Sequence, residues 1–300
     1  MIPYVRDIQF EYGACDQVSP LIRRVVANNP GPFTFVGTGT YIVGRGEVAV
    51  IDPGPAMDDH LEAILAATAG ERITHIFITH HHLDHSPLAA PLKARTGATI
   101  YGCAVASHDE EEDGGVKMEA GHDLSFKPEV SLCGGGQVIS GPGWTMEAIA
   151  TPGHTSNHIC FGFREENACF TGDHIMGWST TVITPPDGDM TDYLASLDDI
   201  RGRRFDVLWP THGPPIRDVD AFIQAYIDHR QERVDQILNA LQAGPARIRE
   251  LVPTLYADVD SRLHPAAARS MLAAMIHLVR KGQLAADGEP GPDSTYRLAG

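Results

Sequence analysis

One short run constrains this chain more than any other: His80-His81-His82-Leu83-Asp84-His85, placed directly after Ile73-Thr74-His75-Ile76-Phe77-Ile78-Thr79. The preceding stretch is apolar and β-branched and reads as a strand ending on the histidines. His80 and His82 alternate, so extended backbone turns both rings to one face, and His81 points away. Asp84 and His85 lie a little further on, within reach of a second ion. A hard carboxylate among imidazoles suits zinc or another borderline divalent cation. A solvated loop can be rich in histidine, but three histidines and an aspartate at this spacing after an apolar strand favour metal.

A catalytic metal needs ligands from elsewhere in the fold. Three other strand patterns end in turns that carry one each. Thr151-Pro152-Gly153-His154-Thr155 follows Ala148-Ile149-Ala150, Thr171-Gly172-Asp173 follows Ala168-Cys169-Phe170, and Thr211-His212-Gly213 follows Val207-Leu208-Trp209-Pro210. Each has a nearby glycine that lets backbone approach closely. Alone, each is a weak motif; in this order they are strong.

Together with Gly39-Thr40-Tyr41-Ile42-Val43 and Ile51-Asp52-Pro53-Gly54, these blocks resemble the metallo-β-lactamase superfamily over roughly residues 30 to 215. The Gly177-Trp178-Ser179-Thr180-Thr181-Val182 stretch and the long C-terminal extension are similar to the beta-lactamase-like protein 2 branch, whose animal member is an endoribonuclease on single-stranded RNA. The resemblance implies a four-layer αββα sandwich with a C-terminal winged-helix-like domain. It also implies a ligand set: His80, His82 and His154 for one metal, Asp84, His85 and His212 for the other, and Asp173 between them. Two Zn2+ are implied, with Mn2+ or Fe2+ as alternatives. His82 stands where flavodiiron oxidoreductases of this fold carry glutamate, which favours zinc hydrolysis over iron redox chemistry.

Two such ions lower the pKa of a shared water and stabilise charge on the attacked group, so a metal-bridging hydroxide is the expected nucleophile. Asp84 is expected both to ligate a metal and to orient that hydroxide, as the catalytic residue. Asp52 is expected to accept a bond from a ligand histidine, with Thr79 and Thr155 bracing their neighbours. Trp178, Thr180, Thr181, His158 and His174 are candidates for substrate contact, set against packing roles in a lid, a domain interface or the core. His60, His75, His108, His122, His229, His264 and His277 show no ligand context.

The rest of the chain bounds the reading. Of its 300 residues, 43% are apolar and 21% charged, the balance of a globular protein. No apolar run approaches a membrane span, and the N-terminus lacks the apolar core of a signal peptide, so a cytoplasmic protein without a membrane partner is expected. Five scattered cysteines without CxxC spacing read as buried free thiols. The acidic run Asp109 to Asp113 reads as a solvated loop, and Gly134-Gly135-Gly136 as a turn. Strands alternate with helices, at Asp58 to Ala69 and Met190 to Arg201, through residues 1–217, the catalytic domain. Residues 218–300 change character. A long helix capped by Asp218 runs to about Ala243, with Phe222, Ile223, Tyr226 and Ile227 as an internal apolar stripe. Helices near Ala246 to Tyr256 and Pro265 to Lys281 and a terminal hairpin complete a winged-helix order.

A net charge of −16 opposes non-specific nucleic-acid binding. The candidate recognition helix offers Arg269, His277, Arg280 and Lys281, but the wing carries Asp287, Glu289 and Asp293. A packing, substrate-shaping or dimerising role is therefore favoured over nucleic-acid binding. The expected activity is a zinc hydrolase acting on single-stranded RNA or on a small ester or thioester. A glyoxalase II-like thioesterase or a lactonase is the alternative, and an iron-dependent sulfur dioxygenase is the alternative of another class. A β-lactam substrate is less favoured, as is a binding protein whose metal site is structural.

Overall fold

The computed structural model describes residues 2–105, 121–257 and 259–300. The acidic run and His108 lie outside them. The first sheet is built from β1 (Cys15–Gln17), β2 (Ile22–Val26), β3 (Gly39–Val43), β4 (Glu47–Ile51), β5 (Arg72–Phe77), β6 (Thr99–Gly102) and β7 (Val130–Ser131), in that spatial order. Helices α1 (Asp58–Ala67) and α2 (Ala89–Thr96) are its crossovers between the parallel pairs β4/β5 and β5/β6. The second sheet contains β8 (Val138–Gly141), β9 (Trp144–Ala150), β10 (Ile159–Phe163), β11 (Ala168–Gly172) and β12 (Val207–Pro210), ordered β12-β11-β10-β9-β8. Helices α3 (Met190–Arg203) and α4 (Val219–Leu241) cover its outer face.

Side-chain alternation explains the layers. In β3 and β4, Tyr41, Val43, Ala49 and Ile51 face the second sheet, while Ile42, Val48 and Val50 face α1 and α2. Across the middle, Tyr41 meets Phe170 at 5.1 Å between ring centroids and Phe77 meets Phe161 at 5.0 Å. On the far face, Cys160, Cys169 and Leu208 pack against Tyr193, Leu197 and Phe222. Helix, sheet, sheet, helix is the expected four-layer αββα arrangement.

Helix α4 belongs to two cores. Val219, Phe222, Ile223 and Tyr226 pack with α3, whereas Ile237 and Leu241 join the C-terminal core. That core holds α5 (Ile248–Leu255), α6 (His264–Arg280) and a three-stranded sheet of β13 (Ala246–Arg247), β14 (Leu284–Ala286) and β15 (Thr295–Leu298). The order is that of a winged helix, with one strand placed where helix was expected at Ala246. Asp218 precedes α4 without a capping bond from its side chain. Asp189 does cap α3, accepting from the amides of Thr191 and Asp192.

One expectation is overturned: Cys103 and Cys133 form a disulfide, leaving Cys15, Cys160 and Cys169 free. The parallel pairing of β6 with β7 brings these distant positions to a Cα separation of 4.6 Å. A 30-residue spacing carries no local signature of such a pair. The bond is also uncommon in a reducing cytosol. No helix among the described residues is long and apolar enough to cross a membrane.

Candidate metal centre

Strand direction gathers the candidate ligands. In the first sheet β4 and β5 are parallel, and in the second β9, β11 and β12 share one direction. Their C-terminal ends deliver Asp52, the histidine run, His154, Asp173 and His212 to one rim. Backbone bonds lock these ends together: Ile159 N donates to Thr79 O at 2.8 Å, and Thr211 N to Gly172 O at 3.2 Å. Gly172 has a φ of 50°, and a Cβ there would lie 2.8 Å from Thr79 and 2.6 Å from the His158 ring. Only glycine allows β11 to end so close to the histidine run.

Three overlapping clusters result: His80 with His82 and His154, His80 with His85 and Asp173, and Asp84 with His85 and His212. Within each, the ligand atoms lie within 4.8 Å of one another. All seven side chains are at least nine-tenths buried. His82 Nδ1 is 2.9 Å from His80 Nε2 and 3.2 Å from His154 Nε2. Tetrahedral zinc bonds of about 2.0–2.1 Å set ligand atoms roughly 3.3 Å apart, close to these spacings. On the other side, His212 Nε2 lies 3.1 Å from Asp84 Oδ2 and 3.5 Å from Asp173 Oδ1.

The outer hydrogen bonds decide which nitrogen faces inward. Thr79 Oγ1 donates to Asp52 Oδ2 at 2.7 Å, so it accepts from His80 Nδ1–H at 3.0 Å. His85 Nδ1–H donates to Asp52 at 2.9 Å, His154 Nδ1–H to Val182 O at 2.7 Å, and His212 Nδ1–H to Gly37 O at 3.1 Å. Each of these four rings therefore presents an Nε2 lone pair to the centre. Asp84 Oδ1, Asp173 Oδ1 and His85 Nε2 are buried without a well-aligned hydrogen bond among the described residues. Buried polar atoms left this way are costly unless a cation completes them, so the donor set fits divalent metal.

The local electrostatics keep the carboxylates ionised and, without a cation, draw protons onto His85 and His212 that metal binding would displace. Burial and the neighbouring His85, His82 and His154 push His80 well below the usual histidine range. Burial lowers His85 too, but the carboxylates of Asp84, Asp173 and Asp52 outweigh it and raise the net pKa. His212 is likewise raised by Asp173 and Asp84 against burial. Burial raises Asp84, yet His85 and His212 bring it to about 2, and the same kind of neighbours depress Asp173 further. Both carboxylates stay ionised, which a cation pair requires.

Asp52 is fully buried, with a φ of 47°, and accepts four bonds. They come from Thr79 N, Thr79 Oγ1, Thr211 Oγ1 and His85 Nδ1, all between 2.7 and 2.9 Å. The bond from Thr211 to Asp52 was not foreseen from the Thr211-His212-Gly213 block, although Thr211-His212 repeats the Thr79-His80 pairing. Thr155 donates to Asn157 Oδ1 at 2.9 Å.

The candidate substrate residues divide. Trp178 stacks on Phe35 at 5.0 Å and packs over Gly213, beside His212. Thr180 is half-buried and lines a cleft of about 470 Å³ between α3, α4 and α6. Thr181 is buried and bonds the carbonyls of Asp173 and His174, bracing the loop. His158 lies behind the site: its Nε2 accepts from Asp173 N at 3.3 Å and its Nδ1 donates to Thr151. His174 is buried against Tyr193 at 4.9 Å. His81 does point away from the other rings, toward Asn157 and His122.

Comparison with known proteins follows this geometry. Residues 34–212 match the family described as the metallo-beta-lactamase superfamily, and residues 248–292 match the beta-lactamase associated winged helix domain. An atrochrysone carboxyl ACP thioesterase of Aspergillus fumigatus is 36% identical over 76% of this chain and 67% of its own length. A beta-lactamase-like protein 2 homolog of Caenorhabditis elegans is 29% identical over 89% of this chain and 87% of its own. A beta-lactamase domain protein from Burkholderia ambifaria superimposes with a TM-score of 0.81 at 19% identity, covering 98% of this chain and 96% of that one.

Proposed function

From the premise that this chain belongs to the metallo-β-lactamase superfamily of hydrolases, we propose that it is a binuclear zinc hydrolase of thioesters. The observation that carries the metal assignment is the wiring of His80, His85, His154 and His212, whose outer N–H groups find acceptors while the inner nitrogens converge with two ionised carboxylates. His80, His82 and His154 would hold one ion, Asp84, His85 and His212 the other, with Asp173 between them. Bound there, two such ions activate water near neutral pH and polarise the scissile carbonyl. Asp84 is the catalytic residue: its ionised carboxylate would ligate one ion and accept a hydrogen bond from the attacking water or hydroxide, fixing its direction. Asp52 keeps the His85 ring in place. Trp178, over Gly213, forms the wall against which an acyl chain would lie.

The thioester choice draws on the related enzyme whose name gives an acyl-carrier thioesterase. It also draws on the cleft beside Thr180, whose lining of Arg230, Arg233 and Lys281, with Asp198 and Asp235, would set cations against the phosphate of a carrier arm. The same cations favour single-stranded RNA as a second reading. Metal content and turnover on acyl thioesters, single-stranded RNA and lactones separate the readings. Two zinc ions per central site and thioester turnover that is lost in His82→Ala and His212→Ala are expected. RNA cleavage without thioester turnover would reassign the substrate. Activity surviving both substitutions would overturn the ligand assignment.

A further inference from the structure

Beside the central rings lies a second constellation of histidine and aspartate. His81 belongs to the same run but faces away from the other ligands by strand alternation. Its neighbour Asn157 has a fixed amide orientation, because Nδ2 donates to the Cys103 carbonyl at 2.9 Å. Asn157 Oδ1 is thus an acceptor and takes the His81 Nδ1–H at 2.8 Å. His81 Nε2 is left with its lone pair, in a ring that is 1% exposed. That nitrogen accepts from His122 Nδ1–H at 2.7 Å, a bond that a shared cation would replace by displacing the proton.

The third member is Asp187. Its Oδ1 accepts from the amide and hydroxyl of Ser156. Its Oδ2 is buried without a hydrogen-bond partner among the described residues. One ligand atom from each of His81, His122 and Asp187 lies within 4.8 Å of the others. Backbone holds the partners in place: Leu83 N donates to Gly121 O at 2.9 Å, and Asp123 N to His81 O at 2.7 Å. The wiring resembles that of the central ligands in that an outer oxygen takes the ring N–H, but the inner nitrogens at 2.7 Å are closer than the roughly 3.3 Å of two zinc ligands, so the rings would part slightly around an ion.

We propose that His81, His122 and Asp187 bind a third divalent cation of the zinc type, separate from the central pair. Two imidazoles and one carboxylate form an N2O set that suits zinc better than calcium or magnesium, which prefer all-oxygen sites. The ion ties the segment at His122 to the turn at Asp187. That turn continues from Val182, whose carbonyl orients His154, so occupancy stiffens the wall of the central site.

Titration of the metal-free protein with Co2+, followed by visible absorption and by chelator competition, tests this. Wild type is expected to take up one equivalent more than His122→Ala and one more than Asp187→Asn. Both changes fall on half-buried side chains, and far-ultraviolet circular dichroism checks that each variant folds. His82→Ala serves as a control for the central site, and adding His122→Ala to it is expected to remove one further equivalent. Equal uptake by wild type and both single variants would overturn the proposal, whatever the central count.

Discussion

Asp52→Asn is the sharpest perturbation of this site, because asparagine keeps the shape and tolerates a positive φ. The carboxylate accepts four bonds in a fully buried place: Oδ1 from Thr79 N, Oδ2 from two threonine hydroxyls and His85 Nδ1–H. The hydroxyls can rotate. The amide of Thr79 and the ring N–H of His85 cannot, and they face opposite oxygens. Either orientation of the new amide therefore sets an NH2 against one of these fixed donors. A buried donor stranded in this way costs about 1–3 kcal/mol. With the NH2 turned to His85, the ring can avoid the conflict only by moving its proton to Nε2, which removes the lone pair meant for metal. Loss of such an outer partner lowers metal affinity about 10- to 100-fold. Urea unfolding of the metal-free protein reads the first effect, and zinc release to a competing chelator reads the second. If both quantities match wild type, His85 is not oriented by Asp52 and the wiring argument fails.

Other outcomes follow from the same geometry. Asp84→Asn is expected to abolish turnover, and full activity with both metals retained would remove its catalytic role. Gly153→Ala is expected to destabilise by about 3 kcal/mol or more, because the new Cβ would lie 2.4 Å from Tyr193 Cα at a φ of 140°; thermal unfolding checks this. Loss of the Cys103–Cys133 bond, by reduction or Cys133→Ser, opens a 30-residue loop and is expected to lower stability by about 3.5 kcal/mol; an unchanged unfolding midpoint would contradict it. His60 is buried beside Thr40, and burial lowers its pKa to about 4. Since the unfolded chain binds the proton first, this contribution is complete above about pH 6.5 and is lost as pH falls toward 4. It amounts to about 3 kcal/mol at most. His60→Gln is accordingly expected to flatten the loss of stability across that window.

Much of the candidate site was legible because its candidate ligands sit at strand ends, where a change from apolar run to Gly-His or Gly-Asp turn is local. The αββα layering was legible for the same reason: β3 and β4 alternate in side chain, and α1 begins at Asp58 where the sequence places it. What escaped depends on distant pairing. Cys103 meets Cys133 only because β6 and β7 pair, and the His81, His122 and Asp187 group joins three separate loops. His158 and Thr181 looked like cleft residues from their position in the chain. Their bonds to the backbone of Asp173 explain why they brace it from behind.

The central claim is that seven side chains hold two ions. Anomalous diffraction at the zinc absorption edge, from crystals grown with zinc, tests it most directly. The account predicts two peaks within this group, one among His80, His82 and His154 and one among Asp84, His85 and His212, with Asp173 touching both. A single peak there, or none, in a crystal of active protein would contradict it.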